Sequence, residues 1–193
     1  MVKPKMCDGD NCGISTVGRT PNKDVALRSV VRIHAYKTLY NWVQPYQTDL
    51  TPQIGKGVGT GFFLSLRLKD LDDWRLIMTC SHVVENCYAD KVAIVIPSIG
   101  SREVEARILS ICPEFDLAIL ITKLPADILR EISGLPLGNS DKVEQGNTVL
   151  AYGYPMAQDG IKVTSGIISG REGNKLQHSS PISPGNSGGP LVM

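Results

Sequence analysis

Apolar residues recur along this chain in short runs separated by Gly, Pro, Asp and Asn, and each run has the length of a strand rather than of a helix. In the first two thirds the runs are Val30–Ala35, Val58–Leu66, Arg75–Met78, Val92–Pro97, Val104–Ile111 and Leu117–Thr122. Their β-branched, Leu and Phe content between turn residues predicts short antiparallel strands, and six such strands fill one barrel. Lys123–Gly138 reads as a connector, with a helical turn over Ala126–Ile132. The remainder offers four more strands, at Thr148–Tyr152, Gly166–Arg171, Lys175–His178 and Pro190–Met193. Residues 1–24 are polar and rich in Gly, Lys and Asp, and read as a loose arm or docking segment. The pattern predicts an all-β protein: an arm over 1–24 and one domain over 25–193, its first barrel at 25–122 and its second at 135–193.

Composition narrows the field. At 193 residues and 42% hydrophobic, the chain can bury a core. A net charge of +1 gives no ground for a nucleic acid or a charged membrane surface as partner. No apolar run approaches a membrane span, and Met1–Asp10 lacks the apolar centre of a secretion signal, so an intracellular setting is expected, or a virus particle if the chain is virally encoded. Five cysteines at irregular spacing do not resemble a disulfide framework, and Cys7 and Cys12 are too isolated to suggest zinc.

Chemistry enters with Gly185-Asn186-Ser187-Gly188-Gly189-Pro190. Alone, such a run is a turn as readily as a site. A serine hydroxyl is a weak nucleophile at neutral pH, so it needs an adjacent base and a backbone pocket for the charge that develops on the substrate oxygen. Both are at hand. Thr79-Cys80-Ser81-His82-Val83-Val84 follows an apolar stretch and places His82 where a strand gives way to a short helix or turn. Asp116 stands at the mouth of the apolar run Leu117–Thr122, where a carboxylate beside buried aliphatic surface needs a hydrogen-bonding partner such as the His82 ring. His34 and His178 lack such company and read as surface or satisfied core residues. The order His82, Asp116, Ser187 is one of the three chain orders in which a Ser-His-Asp triad occurs.

On these residues the chain resembles the trypsin-like serine proteases, and within them the HtrA/Deg branch, from about Asp24 to Met193. Gly59-Thr60-Gly61-Phe62-Phe63 is similar to the strand before the histidine in that branch, and Thr79–Val84 to its T-x-x-H-V-V segment. Asp116–Leu120 is similar to its D-L-A-I-L, Gly153–Pro155 to its G-Y-P, Val163–Ser169 to its V-T-x-G-I-V-S, and Pro181–Leu191 to its P-I-N-P-G-N-S-G-G-P-L. Asn41–Gln47, with its Trp and Pro, resembles the eukaryotic Deg type.

The resemblance implies a two-barrel fold with the site in the cleft between barrels and a serine endopeptidase acting through an acyl-enzyme. Its catalytic residues would be His82, Asp116 and Ser187, with an oxyanion hole at Gly185, Asn186 and Ser187 and a pocket floor at Pro181, Ile182 and Ser183. That floor holds no carboxylate to receive Lys or Arg, so small or medium apolar residues before the cut are expected. Neither a metal nor an organic cofactor is required. Polypeptides are the expected partners, and an oligomer is open. In that branch further strands follow the serine, and a peptide-sensing PDZ domain usually follows the protease. This chain is expected to be the protease domain alone, lacking the PDZ domain. With four strands in its second half, the chain is therefore expected to have a second barrel cut short after the nucleophile strand. Two rival readings follow: a protease fold serving as a structural or assembly subunit, and a self-processed fragment held by a docked C-terminal piece.

Overall fold

A computed structural model describes residues 23–39, 53–100 and 102–193. Most of the predicted arm, Cys7, Cys12 and the segment Asn41–Gln47 lie outside the described residues.

The first element among the described residues is a short helix, α1 (Lys23–Ser29), which takes in the end of the expected arm and was not expected before the strand at Val30. Asp24 in its first turn and Arg28 in its last complement the helix dipole, and the Ser29 hydroxyl donates back to Val25 O at 2.6 Å. Six strands follow: β1 (Val30–Leu39), β2 (Gln53–Phe63), β3 (Trp74–Thr79), β4 (Cys87–Val95), β5 (Glu103–Cys112) and β6 (Leu117–Lys123). They close into an antiparallel barrel in the order β1-β2-β3-β6-β5-β4. Closure removes sheet edges from this half.

Alternation explains the barrel core. Along β6, Ala118, Leu120 and Thr122 are buried while Leu117 and Lys123 are exposed, the period-2 pattern of a strand with one face inward. Val31, Ile33, Phe63, Ile77, Ile94 and Leu120 meet inside. On β2 and β3 the alternate residues Phe62 and Leu76 point out of the barrel and pack with Val30, Tyr152, Tyr154 and Val192, forming a second cluster at the seam between halves. One pleat therefore supplies both cores.

After a connector that carries α3 (Ala126–Glu131), the second half contains β7 (Thr148–Gly153), β8 (Lys162–Glu172), β9 (Lys175–His178) and β10 (Leu191–Val192). Among the described residues these form a four-stranded antiparallel sheet in the order β10-β7-β8-β9. The fold is the mostly-β, trypsin-like arrangement expected, with a closed barrel and a smaller second sheet.

Boundaries moved where pairing rather than apolarity extends a strand. β2 begins at Gln53 instead of Val58 because β1 pairs with it as far as Leu39↔Gln53, carrying polar residues into the ladder. β8 begins at Lys162 instead of Gly166 because it pairs with β7 from Gly153↔Lys162 onward. Among the described residues, no helix is long and apolar enough to cross a membrane.

Candidate active site

His82 sits on α2 (Ser81–Val84), a single turn whose Val83 and Val84 are buried, which leaves the imidazole half-exposed on the opposite side. The turn rests directly on β2. A Cβ at Gly59 would lie 2.6 Å from Val83 Cγ1, so the missing side chain is what lets α2 seat there.

Asp116 closes the start of this turn from the head of β6, the strand paired with β3. It follows the 3-10 turn Pro113–Phe115 in a left-handed conformation, φ 52° and ψ 44°, which Asp tolerates better than most residues. One carboxylate oxygen, Oδ1, accepts from the His82 backbone N–H at 3.0 Å and from the Ser81 hydroxyl at 2.9 Å. The other, Oδ2, pairs with His82 Nδ1 at 2.7 Å. Asp116 thus has the imidazole partner expected of it, although its side chain is 47% exposed and stands at the rim rather than in the apolar interior. What burial it has pushes its carboxyl up, but the His82 N–H, the His82 ring and Ser81 outweigh this and bring it down to about 2. An ionised carboxylate only accepts, so Nδ1 carries the shared proton and Nε2 holds the free lone pair.

The serine loop is built from the other half. Asn186 N–H donates to Ser183 O at 3.0 Å across a four-residue turn, with Pro184 in its second position and Gly185, at φ 99°, in its third. These are the preferences of a type II turn. Pro184 O accepts from Met156 N–H at 2.7 Å, and in a trans peptide this turns the Gly185 N–H the opposite way. Neither the Gly185 nor the Ser187 N–H has a hydrogen-bond partner among the described residues. Asn186 is different: its N–H is already engaged, which removes it from the three expected oxyanion donors.

Thr60, fully buried on β2, ties the halves together. Its N–H donates to Ser187 O at 2.9 Å, its hydroxyl donates to Gly185 O at 2.6 Å, and the same oxygen accepts from Tyr154 N–H at 3.0 Å. Gly188, at φ 84°, packs so closely on Thr60 O and Thr79 Oγ1 that no side chain fits there. The serine loop is thereby held, through Gly188, against Thr79 and Cys80, the residues that lead into α2. No hydrogen bond joins Ser187 Oγ to His82 among the described residues.

The remaining expected residues are more open. Pro181 and Ile182 are exposed and Ser183 is half-buried, so they form a surface step rather than the floor of an enclosed pocket. His34, buried on β1, pairs through Nδ1 with Glu103 at 2.5 Å, whereas His178 Nδ1 is buried with no hydrogen-bond partner among the described residues. A groove lies beside the imidazole, with Val84, Ile108 and Ile111 on its apolar side and Glu85 and Asn86 as polar lining. Cys80 lies between the two parts of the site, and burial, aided by the Asp116 charge, pushes its thiol up to about 11.

Sequence reasoning assigned no role to Thr60, Ser81 or Cys80. The available signal for Thr60 was a hydroxyl residue between two glycines within an apolar strand, where a polar side chain needs a buried partner.

Residues 59–193 match the model of the trypsin-like peptidase domain, and the chain belongs to that family. Within it the similarity runs to the HtrA/Deg branch. "Protease Do-like 4, mitochondrial" of Arabidopsis thaliana is 29% identical over 88% of this chain and 32% of its own length. A "Probable periplasmic serine endoprotease DegP-like" of Pseudomonas fulva is 37% identical over 70% of this chain and 26% of its own. The protein of the same printed name from a Marinomonas strain is 35% identical over 77% and 30%. The chain spans about a quarter to a third of the length of these relatives.

Proposed function

We propose that the chain is a serine endopeptidase in which Ser187 attacks the peptide carbonyl and His82 acts as general base. The observation that carries this reading is the 2.7 Å His82–Asp116 pair, close to a serine loop whose Gly185 and Ser187 N–H groups are unengaged. His82 Nε2 takes the hydroxyl proton as the Ser187 Oγ–carbon bond forms, then gives it to the leaving amine as the peptide C–N bond breaks. Asp116 holds the ring and stabilises the imidazolium. Water then attacks the acyl-enzyme with the same groups acting in turn. The two N–H groups hold the oxyanion, and losing one such donor costs about 10²–10³ in turnover.

Polypeptides are the substrates this reading requires. A preference for small or medium apolar residues before the cut is supported by the Pro181-Ile182-Ser183 step, which carries no acid, and apolar selection nearby by the groove next to His82. Self-association, implied by the family resemblance, belongs to the same proposal and is read by sedimentation.

One observation favours a second reading, a scaffold that keeps the fold without the chemistry: the missing Ser187–His82 hydrogen bond. Such bonds are often loose in free enzymes and tighten with substrate. A fluorophosphonate probe distinguishes the two. Labelling at Ser187 that disappears in Ser187→Ala and falls steeply in His82→Ala is expected. Labelling untouched by His82→Ala removes the general-base role, and no labelling of the folded chain favours the scaffold.

A further inference from the structure

Cys80, His82 and Asp116 each offer one ligand atom, and these atoms all lie within 4.8 Å of one another. Cys80 and His82 flank Ser81 at the start of α2, and Asp116 faces them from the end of the Pro113–Phe115 turn. The framework holding them is ordered by the bonds already described: Ser81 N–H to Asp116 O at 3.2 Å, and His82 N–H and Ser81 Oγ to Asp116 Oδ1. Proteolysis as proposed gives the thiol no task. Cys87 and Cys112 carry thiols too, but among the described residues neither belongs to such a cluster.

A thiolate, an imidazole and a carboxylate, with water in the fourth position, make a tetrahedral ligand set suited to a borderline-soft d¹⁰ cation. Metal–ligand bonds of about 2.0–2.3 Å put the ligand atoms of a tetrahedron roughly 3.5 Å apart. The widest present separation must therefore contract by about 1 Å, within the range of side-chain rotation at half-buried positions. Both His82 and Asp116 side chains are about half exposed, 51% and 47%, so an ion can reach them from solvent.

We infer that Cys80 Sγ, His82 Nδ1 and an Asp116 oxygen form a Zn²⁺-type site whose occupation switches the serine site off. The switch follows from proton bookkeeping. Binding forms metal–sulfur, metal–nitrogen and metal–oxygen bonds and releases one proton, that of the thiol, while the single proton of the neutral ring passes through solvent from Nδ1 to Nε2, with no change of oxidation state. A neutral ring bound through Nδ1 carries its one proton on Nε2. That nitrogen is then a donor and cannot accept the Ser187 proton, so metal and general base exclude each other. The ion also takes Asp116 away from its orienting role. It is an inhibitor in this scheme and takes no part in turnover.

The binding site is testable without any protease assay; only the switch rests on the serine-protease reading. Co²⁺ titrated into the full chain is expected to give one equivalent of tetrahedral absorption with a thiolate charge-transfer band, displaced by Zn²⁺. Cys80→Ala should abolish the band and weaken binding by more than the roughly 10–100-fold typical of losing an outer-sphere partner. Cys87→Ala and Cys112→Ala should leave it intact, and Cys80→Ser serves if the alanine variant does not fold. Saturating Zn²⁺ should block fluorophosphonate labelling of Ser187 in the wild type and not in Cys80→Ala. Bound Co²⁺ without a thiolate band, or a band that survives both Cys80 variants, overturns the site. Labelling that continues in the Zn²⁺-loaded wild type overturns the switch. If the metal-free chain is not labelled at all, the serine-protease reading fails instead, and the imidazole NMR signals of His82 still decide whether Nδ1 is metallated.

Discussion

The two halves of the site are held in different ways. His82 and Asp116 stand on one closed barrel, and Asp116 makes its backbone and side-chain bonds to Ser81 and His82 within that barrel. The Ser187 loop leaves a four-stranded sheet and is fixed largely from outside it: Thr60 of the barrel holds Ser187 O and Gly185 O, while Met156 of its own half holds Pro184 O. The His82–Asp116 pair is therefore pre-built, whereas the position of Ser187, the proposed nucleophile, is a property of the seam. Substitutions in the barrel should alter proton transfer without moving the loop. Substitutions at the seam should move the loop and leave the pair alone.

The largest expected effect tests the barrel side. Asp116→Asn replaces the acceptor of the Nδ1 proton with an amide that can reverse the tautomer, and in triads of this type such a change lowers turnover by about 10⁴. The amide oxygen can still accept from the His82 N–H and the Ser81 hydroxyl, so the circular dichroism spectrum and the unfolding midpoint should change little. Peptide turnover that drops less than tenfold would detach the pair from catalysis.

On the seam side, Gly185→Ala comes next. At φ 99° a side chain is strained, and its Cβ would collide with Tyr154 O, so the turn must rearrange and its N–H must re-aim. Loss of one oxyanion donor predicts a fall of about 10²–10³ in kcat with the His82–Asp116 NMR signals unchanged. Altered imidazole signals would contradict the independence of the two halves.

Thr60→Val keeps the shape and removes the hydroxyl. It leaves Gly185 O and Tyr154 N–H without a buried partner, which typically costs about 1–3 kcal/mol each. Displacing the loop by an ångström predicts on the order of a hundredfold lower activity. Thr60→Ser should restore most of both, and denaturant melts beside peptide kinetics measure them. A fully active, fully stable valine variant would mean that the seam does not position Ser187 through this residue.

These expectations also mark what the sequence could reveal. Strand runs such as Leu117–Thr122 and the pairing of His82 with Asp116 were legible because their signals are local: alternation, turn residues and short motifs. The brace at Thr60 was not, since its three partners lie more than ninety positions away along the chain and no local pattern encodes them. The same reason hid the seat of α2 on Gly59 and the loss of Asn186 as a donor, which depends on a turn closing onto Ser183. The early start of β2 escaped because its polar residues are held by pairing with β1, a property of the partner strand.

The smallest expected effect concerns acid stability, and it should arise in the barrel half. Glu103 on β5 accepts from Lys56 Nζ at 2.8 Å, Tyr36 Oη at 2.8 Å and His34 Nδ1 at 2.5 Å, stitching β1 and β2 to β5. The Lys56 bond leads in holding its carboxyl down to about 2, with burial opposing. Between its ordinary value of 4.5 and about 2, the unfolded chain binds more protons than the folded one, so stability rises with pH across that window. The contribution is complete above the ordinary value and disappears as pH falls through about 2. Asp116 acts with the same sign between 3.8 and about 2, and His34, lowered chiefly by burial, adds a loss that begins below 6.5. Because Glu103 is 38% exposed, solvent and salt screen much of the effect. Urea-unfolding midpoints measured from pH 6 to pH 2 should fall more steeply for the wild type than for Glu103→Gln, most visibly at low salt. Parallel curves would show that this brace adds no acid sensitivity, and would leave Asp116 as the barrel group to examine.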